Sequence, residues 1–297
     1  MRGSARAPRG GALLVASTQG DEPAGGAAVW AIRADASERA GARTSADLVA
    51  QPDNLFLGGG GFSERTPNGH AGVFHVEHED QRAESTRWLR KSLAAAGVPA
   101  SEEALERLWA AAQWLGELAG ASGISAYERP DDALERGLGP AIAYFSLPEA
   151  PRRGLLGDLG AGNGALGAGI AILEPNLQVR LLDRAQRAYT ACELLAARLR
   201  LPNLEAVLLD AGEVGRGDHM CAYDAIVFRA LAGGAEALSL AQRLLAPGGF
   251  IGAYHRDGDV AFQEPPIQGI EAVSTAETVV PGLVLSGFRA LRTGFPQ

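Results

Sequence analysis

Apolar residues recur at helical spacing from Glu84 and switch to short, strand-like runs after Gly154. Trp88, Leu89 and Leu93 form a stripe that ends at Gly97, a residue suited to the position just past a helix. Ser101 follows as a candidate N-cap, and Glu102 and Glu103 place carboxylates in a first helical turn. Leu105, Leu108, Trp109, Ala112, Leu115 and Leu118 then return every three or four residues, which marks one helix face. Asp131 to Phe145 repeats the period through Leu134, Leu138, Ile142 and Phe145, and Pro140 predicts a kink or break inside it.

From Gly154 the pattern predicts strands at Leu155–Leu159, Val179–Leu182, Leu204–Leu209, Ala225–Phe228 and Phe250–Tyr254. Helices fall between them at Gly164–Leu173, Ala185–Leu199 and Ala235–Leu245, and Pro247-Gly248-Gly249 reads as a turn. Such alternation implies an α/β fold with a parallel sheet and helices on both faces. Two β-rich stretches around Pro281-Gly282 in Gly269–Arg292 predict a closing hairpin and an antiparallel edge. Residues 1–70 keep no period and are rich in Gly, Ala and Ser, so they are expected to be disordered or a mis-annotated extension. The expected organisation is that extension, a small helical domain over 71–150 and an α/β domain over 151–297.

Composition narrows the function. Apolar residues make up 46% of the 297 residues and charged ones 21%, enough for a buried core. No apolar run is long enough for a membrane span. A formal net charge of −8 excludes a basic nucleic-acid glove as a description of the whole molecule, though not a local basic face. Lys91 is the only lysine among 27 basic residues, which fits a GC-rich coding sequence. Cys192 and Cys221 are too few for a disulfide scaffold or a cysteine zinc site, so a cytoplasmic location and no metal are expected.

The strongest motif is Asp158-Leu159-Gly160-Ala161-Gly162-Asn163-Gly164, which follows a predicted strand and opens a predicted helix. Glycines there let the backbone turn sharply and approach a ligand, while helix N–H groups face it. Dinucleotide-binding oxidoreductases use a similar loop, so the loop by itself leaves the cofactor open. Asp183, at the end of the second strand, is placed to accept ribose hydroxyls, and Asp210, at the end of the third, lies where an adenine would sit. Asp158 is placed to hold the cationic amino-acid end of S-adenosylmethionine indirectly. The same features occur in class I methyltransferases, and Leu245–Phe250 resembles the Pro-Gly-Gly turn before their fifth strand.

A closer resemblance covers residues 105–292. Gly123-Ile124-Ser125 with Arg129-Pro130-Asp131, the loop Asp158–Gly167, Leu181-Leu182-Asp183, Leu201–Leu204, Tyr223-Asp224 through Arg229-Ala230 and Leu244–Gly249 occur in order. In that order they resemble the bacterial 16S rRNA guanine-N7 methyltransferase family RsmG (GidB). The resemblance implies a class I, Rossmann-like S-adenosylmethionine methyltransferase sheet behind a small N-terminal helical domain, with 16S rRNA or the small ribosomal subunit as partner. Carried over by position, Gly160, Ala165, Ala211, Gly212 and Arg229 would touch the cofactor and Asp183 its ribose; Asp158, Gly162 and Gly164 complete the expected set. No general base is expected, because guanine N7 already carries a free lone pair.

The chain departs from the family's Arg-His-Ile-Leu-Asp-Ser helix, which reads here Arg136-Gly137-Leu138-Gly139-Pro140-Ala141. Leu166 stands for the loop proline, Gly212 for a glutamate, and His255-Arg256 for a Lys-Gly pair. A methyltransferase of this fold with another substrate, a cofactor-binding module without catalysis, and a nicotinamide oxidoreductase are the alternatives. For phosphate contacts, Arg87, Arg90 and Lys91, or Arg152 and Arg153, are the candidates. Val73–His78 lacks zinc-site spacing. One codon choice for it, GTG TTC CAC GTG GAA CAC, equals its own reverse complement and resembles the chromosome-partition site parS. That predicts a constraint on the DNA there, and a start codon at Val73.

Overall fold

A computed structural model of the chain describes residues 73–122, 125–213, 219–231, 233–262 and 267–291. The expected disordered or mis-annotated segment, 1–70, lies outside the described residues, and so do the side chains of Val73–His78.

Two long helices open the described chain, α1 (Val73–Ala95) and α2 (Glu102–Ser122). The helix α1 starts well before the apolar stripe that announces it, because no regular period runs through its first turns. Leu89 and Leu93 are buried, Gly97 turns the chain at φ +66°, and Ser101 Oγ accepts the amide of Ala104 at 3.1 Å as an N-cap. The six residues of the predicted α2 face are all buried, Leu115 completely.

The third helical segment breaks into pieces. A single turn, α3 (Pro130–Asp132), leads into a π-helix over Ala133–Leu138, and α4 (Ala141–Tyr144) follows the break at Pro140. The wide turn closes with Gly139 donating to the Leu134 carbonyl at 2.7 Å, five residues back. Leu134, Leu138 and Ile142 are buried as the period requires, while Phe145 is half-buried.

Seven strands follow, with α5 (Ala165–Leu173), α6 (Gln186–Leu199) and α7 (Gly234–Leu244) between them. They are β1 (Gly154–Leu159), β2 (Leu177–Asp183), β3 (Leu204–Leu208), β4 (Tyr223–Arg229), β5 (Leu245–Arg256), β6 (Ile270–Glu277) and β7 (Leu283–Ala290). The sheet order is β3-β2-β1-β4-β5-β7-β6. The first five strands are parallel and the closing hairpin is antiparallel, so the α/β class and the antiparallel edge are as expected. The topology reverses at β1, which sends β2 and β4 to opposite sides and opens a crevice at the strands' C-terminal ends.

Pleating sorts the side chains. Leu156, Val179, Leu181, Ala225 and Val227 pack with α2, α5 and α6, in a core continuous with Leu89, Leu134 and Leu138. Leu182, Ile226, Phe228 and Ile251 face the other way and pack on Ala237, Leu238 and Leu244 of α7. The predicted turn at Pro247-Gly248-Gly249 lies within β5 as a bulge. Tyr223 pairs with Leu245 and Ala225 with Phe250, so five residues of β5 answer two of β4, with Gly248 at φ +82°. Among the described residues, no helix is long and apolar enough to cross a membrane.

Candidate functional site

The crevice is floored by the ends of β1 and β2. Asp158 pairs with Leu181 of β2 and Val227 of β4, which buries it to 2% exposure. Its carboxylate accepts the Gly167 amide of α5 at 2.8 Å. Burial pushes the Asp158 carboxyl up to about 6; the Gly167 hydrogen bond and the Arg229 charge oppose the rise, and the neighbouring Asp183 charge adds to it.

The loop then turns through three left-handed glycines, Gly160 (φ +71°), Gly162 (φ +60°) and Gly164 (φ +78°). The amides of Gly160 and Ala161 both donate to the Leu182 carbonyl, at 2.8 and 3.1 Å, which anchors the loop on the end of β2. Gly162 donates to Asp183 Oδ2 at 3.0 Å, and Ala185 donates to Asp183 Oδ1 at 2.9 Å. Asp183 is therefore held by two amides, and each oxygen keeps a further lone pair for a ligand. Asn163 Oδ1 accepts the amide of Ala165, the first residue of α5, at 3.2 Å, a tight turn at the helix entry. Beneath the loop, Cys192 Sγ lies 3.5 Å from the Gly162 carbonyl. Burial, with the charges of Asp158 and Asp183, pushes that thiol well above its ordinary range, so it packs rather than reacts.

The end of β3 joins the same rim. Leu209 donates to the Asp183 carbonyl at 2.9 Å, and Asp210 Oδ1 accepts the Gly212 amide at 2.8 Å, forming a tight turn. The Ala211 side chain is buried in the core under α7, so only its backbone is free to meet a ligand, whereas Gly212 is exposed.

Arg229 closes the rim at the end of β4, one residue past the Leu159–Phe228 pair. Ala230 follows in the left-handed region at φ +56°, turning the chain sharply away. The Arg229 guanidinium donates from Nη1 to the Arg136 carbonyl at 2.7 Å and from Nη2 to Tyr127 Oη at 3.0 Å. Tyr254 is the strand partner of Arg229; it is almost fully buried and its hydroxyl has no partner among the described residues. Burial raises that phenol, and the Asp158 and Arg229 charges both act on it.

The expected residues fall at the C-terminal ends of β1 to β4 and in the loops after them: Asp158, Gly164, Ala165 and Ala211 are buried, while Gly160, Gly162, Asp183, Gly212 and Arg229 reach the surface. Tyr127 is the residue that sequence reading missed. It precedes the helical segment it serves, and nothing in its surroundings repeats at a period. Two candidate phosphate contacts are already engaged: Arg90 pairs with Glu102 at 2.5 Å, and Arg152 donates to the Phe145 carbonyl at 2.6 Å. Arg87, Lys91 and Arg153 are exposed. Among the described residues, no three His, Cys, Asp or Glu side chains gather as a metal site.

The family model of rRNA small subunit methyltransferase G matches residues 105–265. Ribosomal RNA small subunit methyltransferase G of Methylobacillus flagellatus is 27% identical over 187 residues, 63% of this chain and 87% of that protein. The protein of the same name from an Anaeromyxobacter species is 31% identical over 161 residues, 54% of this chain and 74% of the relative. Among solved structures, TrmN from Thermus thermophilus aligns over 53% of each chain at 19% identity, with a TM-score of 0.42.

Proposed function

The chain belongs to the rRNA small subunit methyltransferase G family, and from that premise we propose that it transfers a methyl group from S-adenosylmethionine to N7 of a guanine in 16S rRNA. The observation that carries this reading is the rim itself. Within the matched span, a three-glycine loop, a doubly held Asp183 and a clamped Arg229 meet at the C-terminal ends of adjacent parallel strands.

In this reading Gly160, Gly162, Gly164 and the α5 N-terminus at Ala165 take the amino-acid end of the cofactor, with Asp158 behind them. Asp183 accepts the ribose hydroxyls. The backbone of the turn at Ala211 and the exposed Gly212 lies against the adenine. Arg229 is the cation of the site. S-adenosylmethionine supplies the methyl group on a sulfonium that needs no further activation. N7 of neutral guanine carries its own lone pair, so the chain needs no residue to remove a proton. What the chain contributes is alignment of the two reactants, and alignment is worth many powers of ten in rate.

The net charge of −8 leaves RNA contact to local features. Exposed Arg87, Lys91 and Arg153 are the phosphate contacts of this proposal, and the reaction belongs in the cytoplasm, where ribosomes assemble. Expression in bacteria whose own 16S guanine-N7 methylation has been deleted tests the reading. Return of 7-methylguanosine to digested 16S rRNA supports it. Its absence, with the protein expressed and binding S-adenosylmethionine, favours a changed substrate or a module without catalysis.

A further inference from the structure

Tyr127 packs near the start of α5, the helix that the glycine loop opens, and bonds to Arg229 of β4. A Cβ on Gly137 would fall 2.9 Å from Tyr127 Cε2 and 3.4 Å from Ala165 Cβ. The tyrosine ring therefore fills the space that a side chain at 137 would take, next to the first residue of α5. Ser125 Oγ accepts the Tyr127 amide at 3.3 Å and fixes the approach of the backbone. The residue is only 8% exposed.

The Tyr127 hydroxyl accepts a hydrogen bond from Arg229 Nη2 at 3.0 Å. A phenol that accepts still owns a hydrogen to donate. Among the described residues, no acceptor takes it. Arg229 uses two of its five N–H groups on Tyr127 and the Arg136 carbonyl, so it also keeps donors to spare. A cation and a neutral donor are thus locked together beside a helix N-terminus, with buried Asp158 electrostatically coupled to the same arginine.

We propose that Tyr127 is a cofactor-binding residue whose hydroxyl, held by Arg229, donates to the α-carboxylate of S-adenosylmethionine. The inference rests on the cofactor reading above and deepens it. The amino acid is a zwitterion, and the rim offers matching ends: Arg229 and Tyr127 for the carboxylate, Asp158 for the ammonium. The target base is the poorer occupant, because guanine becomes positively charged as N7 is methylated and a facing guanidinium opposes that. A carboxylate that accepts from both a guanidinium and a phenol gains charge-assisted bonds.

Calorimetry on the full chain with S-adenosylmethionine and with its decarboxylated analogue tests this. The wild type is expected to bind the decarboxylated compound at least about tenfold more weakly, the scale of one charge-assisted bond. Tyr127→Phe keeps the ring that packs on Gly137 and removes only the hydroxyl. It is expected to weaken S-adenosylmethionine by on the order of tenfold and the decarboxylated analogue by less than about twofold. Equal weakening of both ligands, or of neither, overturns the proposal. So does a wild type that does not discriminate between them, whatever the variant does. A wild type that binds neither compound overturns the cofactor reading itself.

Discussion

Arg229 donates to the carbonyl of Arg136 at 2.7 Å, and Pro140 is the reason that carbonyl is available. In a regular helix the amide four residues on would take it, but Pro140 has no N–H. The π-helical turn that ends at Leu138 and the proline after it leave an acceptor facing the rim, and a residue 93 positions away supplies the donor. The helical layer and the sheet's ligand edge are thereby joined through one guanidinium.

Replacing Arg229 should show this. Arg229→Lys keeps the charge, but a single ammonium does not reproduce the two-way fork to Arg136 and Tyr127. The expected result is a loss of S-adenosylmethionine affinity of about tenfold or more, with a fall in unfolding free energy of about 1–3 kcal/mol from the orphaned carbonyl and hydroxyl. Calorimetry and urea denaturation read the two effects separately.

Asp158 makes the ligand-free protein pH-dependent. Its carboxyl sits near 6 when folded and near the ordinary aspartate value when unfolded, so the folded state binds the proton more tightly. Stability therefore rises as pH falls from about 6 towards 4, and is lost as pH rises through that window. Asp158→Asn is expected to stabilise the ligand-free chain at pH 7.5 by up to about 3 kcal/mol, with the advantage vanishing near pH 4. Cofactor affinity should move the other way in the wild type, dropping about tenfold per pH unit below about 6, because the ammonium needs the ionised carboxylate. Melting curves and titrations across pH 4–8 check both signs.

Gly164 tests the loop geometry. It sits at φ +78°, and a Cβ there would fall 2.9 Å from Leu181 Cδ1 and 3.0 Å from Leu195 Cδ2. Gly164→Ala carries both a backbone and a packing penalty, expected to total about 1–4 kcal/mol. Because the strain falls where the loop enters α5, cofactor affinity is expected to fall with the melting temperature.

Leu115 tests the shared core instead. It is fully buried in the core that the helical segments share with the sheet. Leu115→Ala is expected to cost about 2–5 kcal/mol of stability, measured by denaturant unfolding. At temperatures where the variant is folded, its S-adenosylmethionine affinity should stay within about twofold of the wild type, since Leu115 lies on α2, which carries none of the rim residues.

The repeating elements were legible because burial imposes a period. The α2 stripe, the βα alternation and the closing hairpin all lie where apolar spacing puts them. The glycine loop was legible because a left-handed backbone needs glycine, and Asp183 because it ends a strand at a wet edge. What escaped is contact across long separations. The Tyr127–Arg229 bond spans 102 residues and leaves no local trace. The family's missing histidine at Gly137 reads in sequence as a loss, whereas in the fold the Tyr127 ring occupies that space. The π-helix and the β5 bulge escaped in part. Pro140 and Pro247-Gly248-Gly249 mark in sequence that the backbone breaks or turns there, but not that the break is a π-helical turn or that the turn is a bulge inside one strand.

Methyl transfer tests the account most directly. Small ribosomal subunits lacking 16S guanine-N7 methylation, and the RNA stripped from them, are incubated with the chain and methyl-labelled S-adenosylmethionine, then digested to nucleosides. The account predicts label in 7-methylguanosine from at least one of the two substrates. Label in a different nucleoside, or none despite measurable cofactor binding, would contradict it.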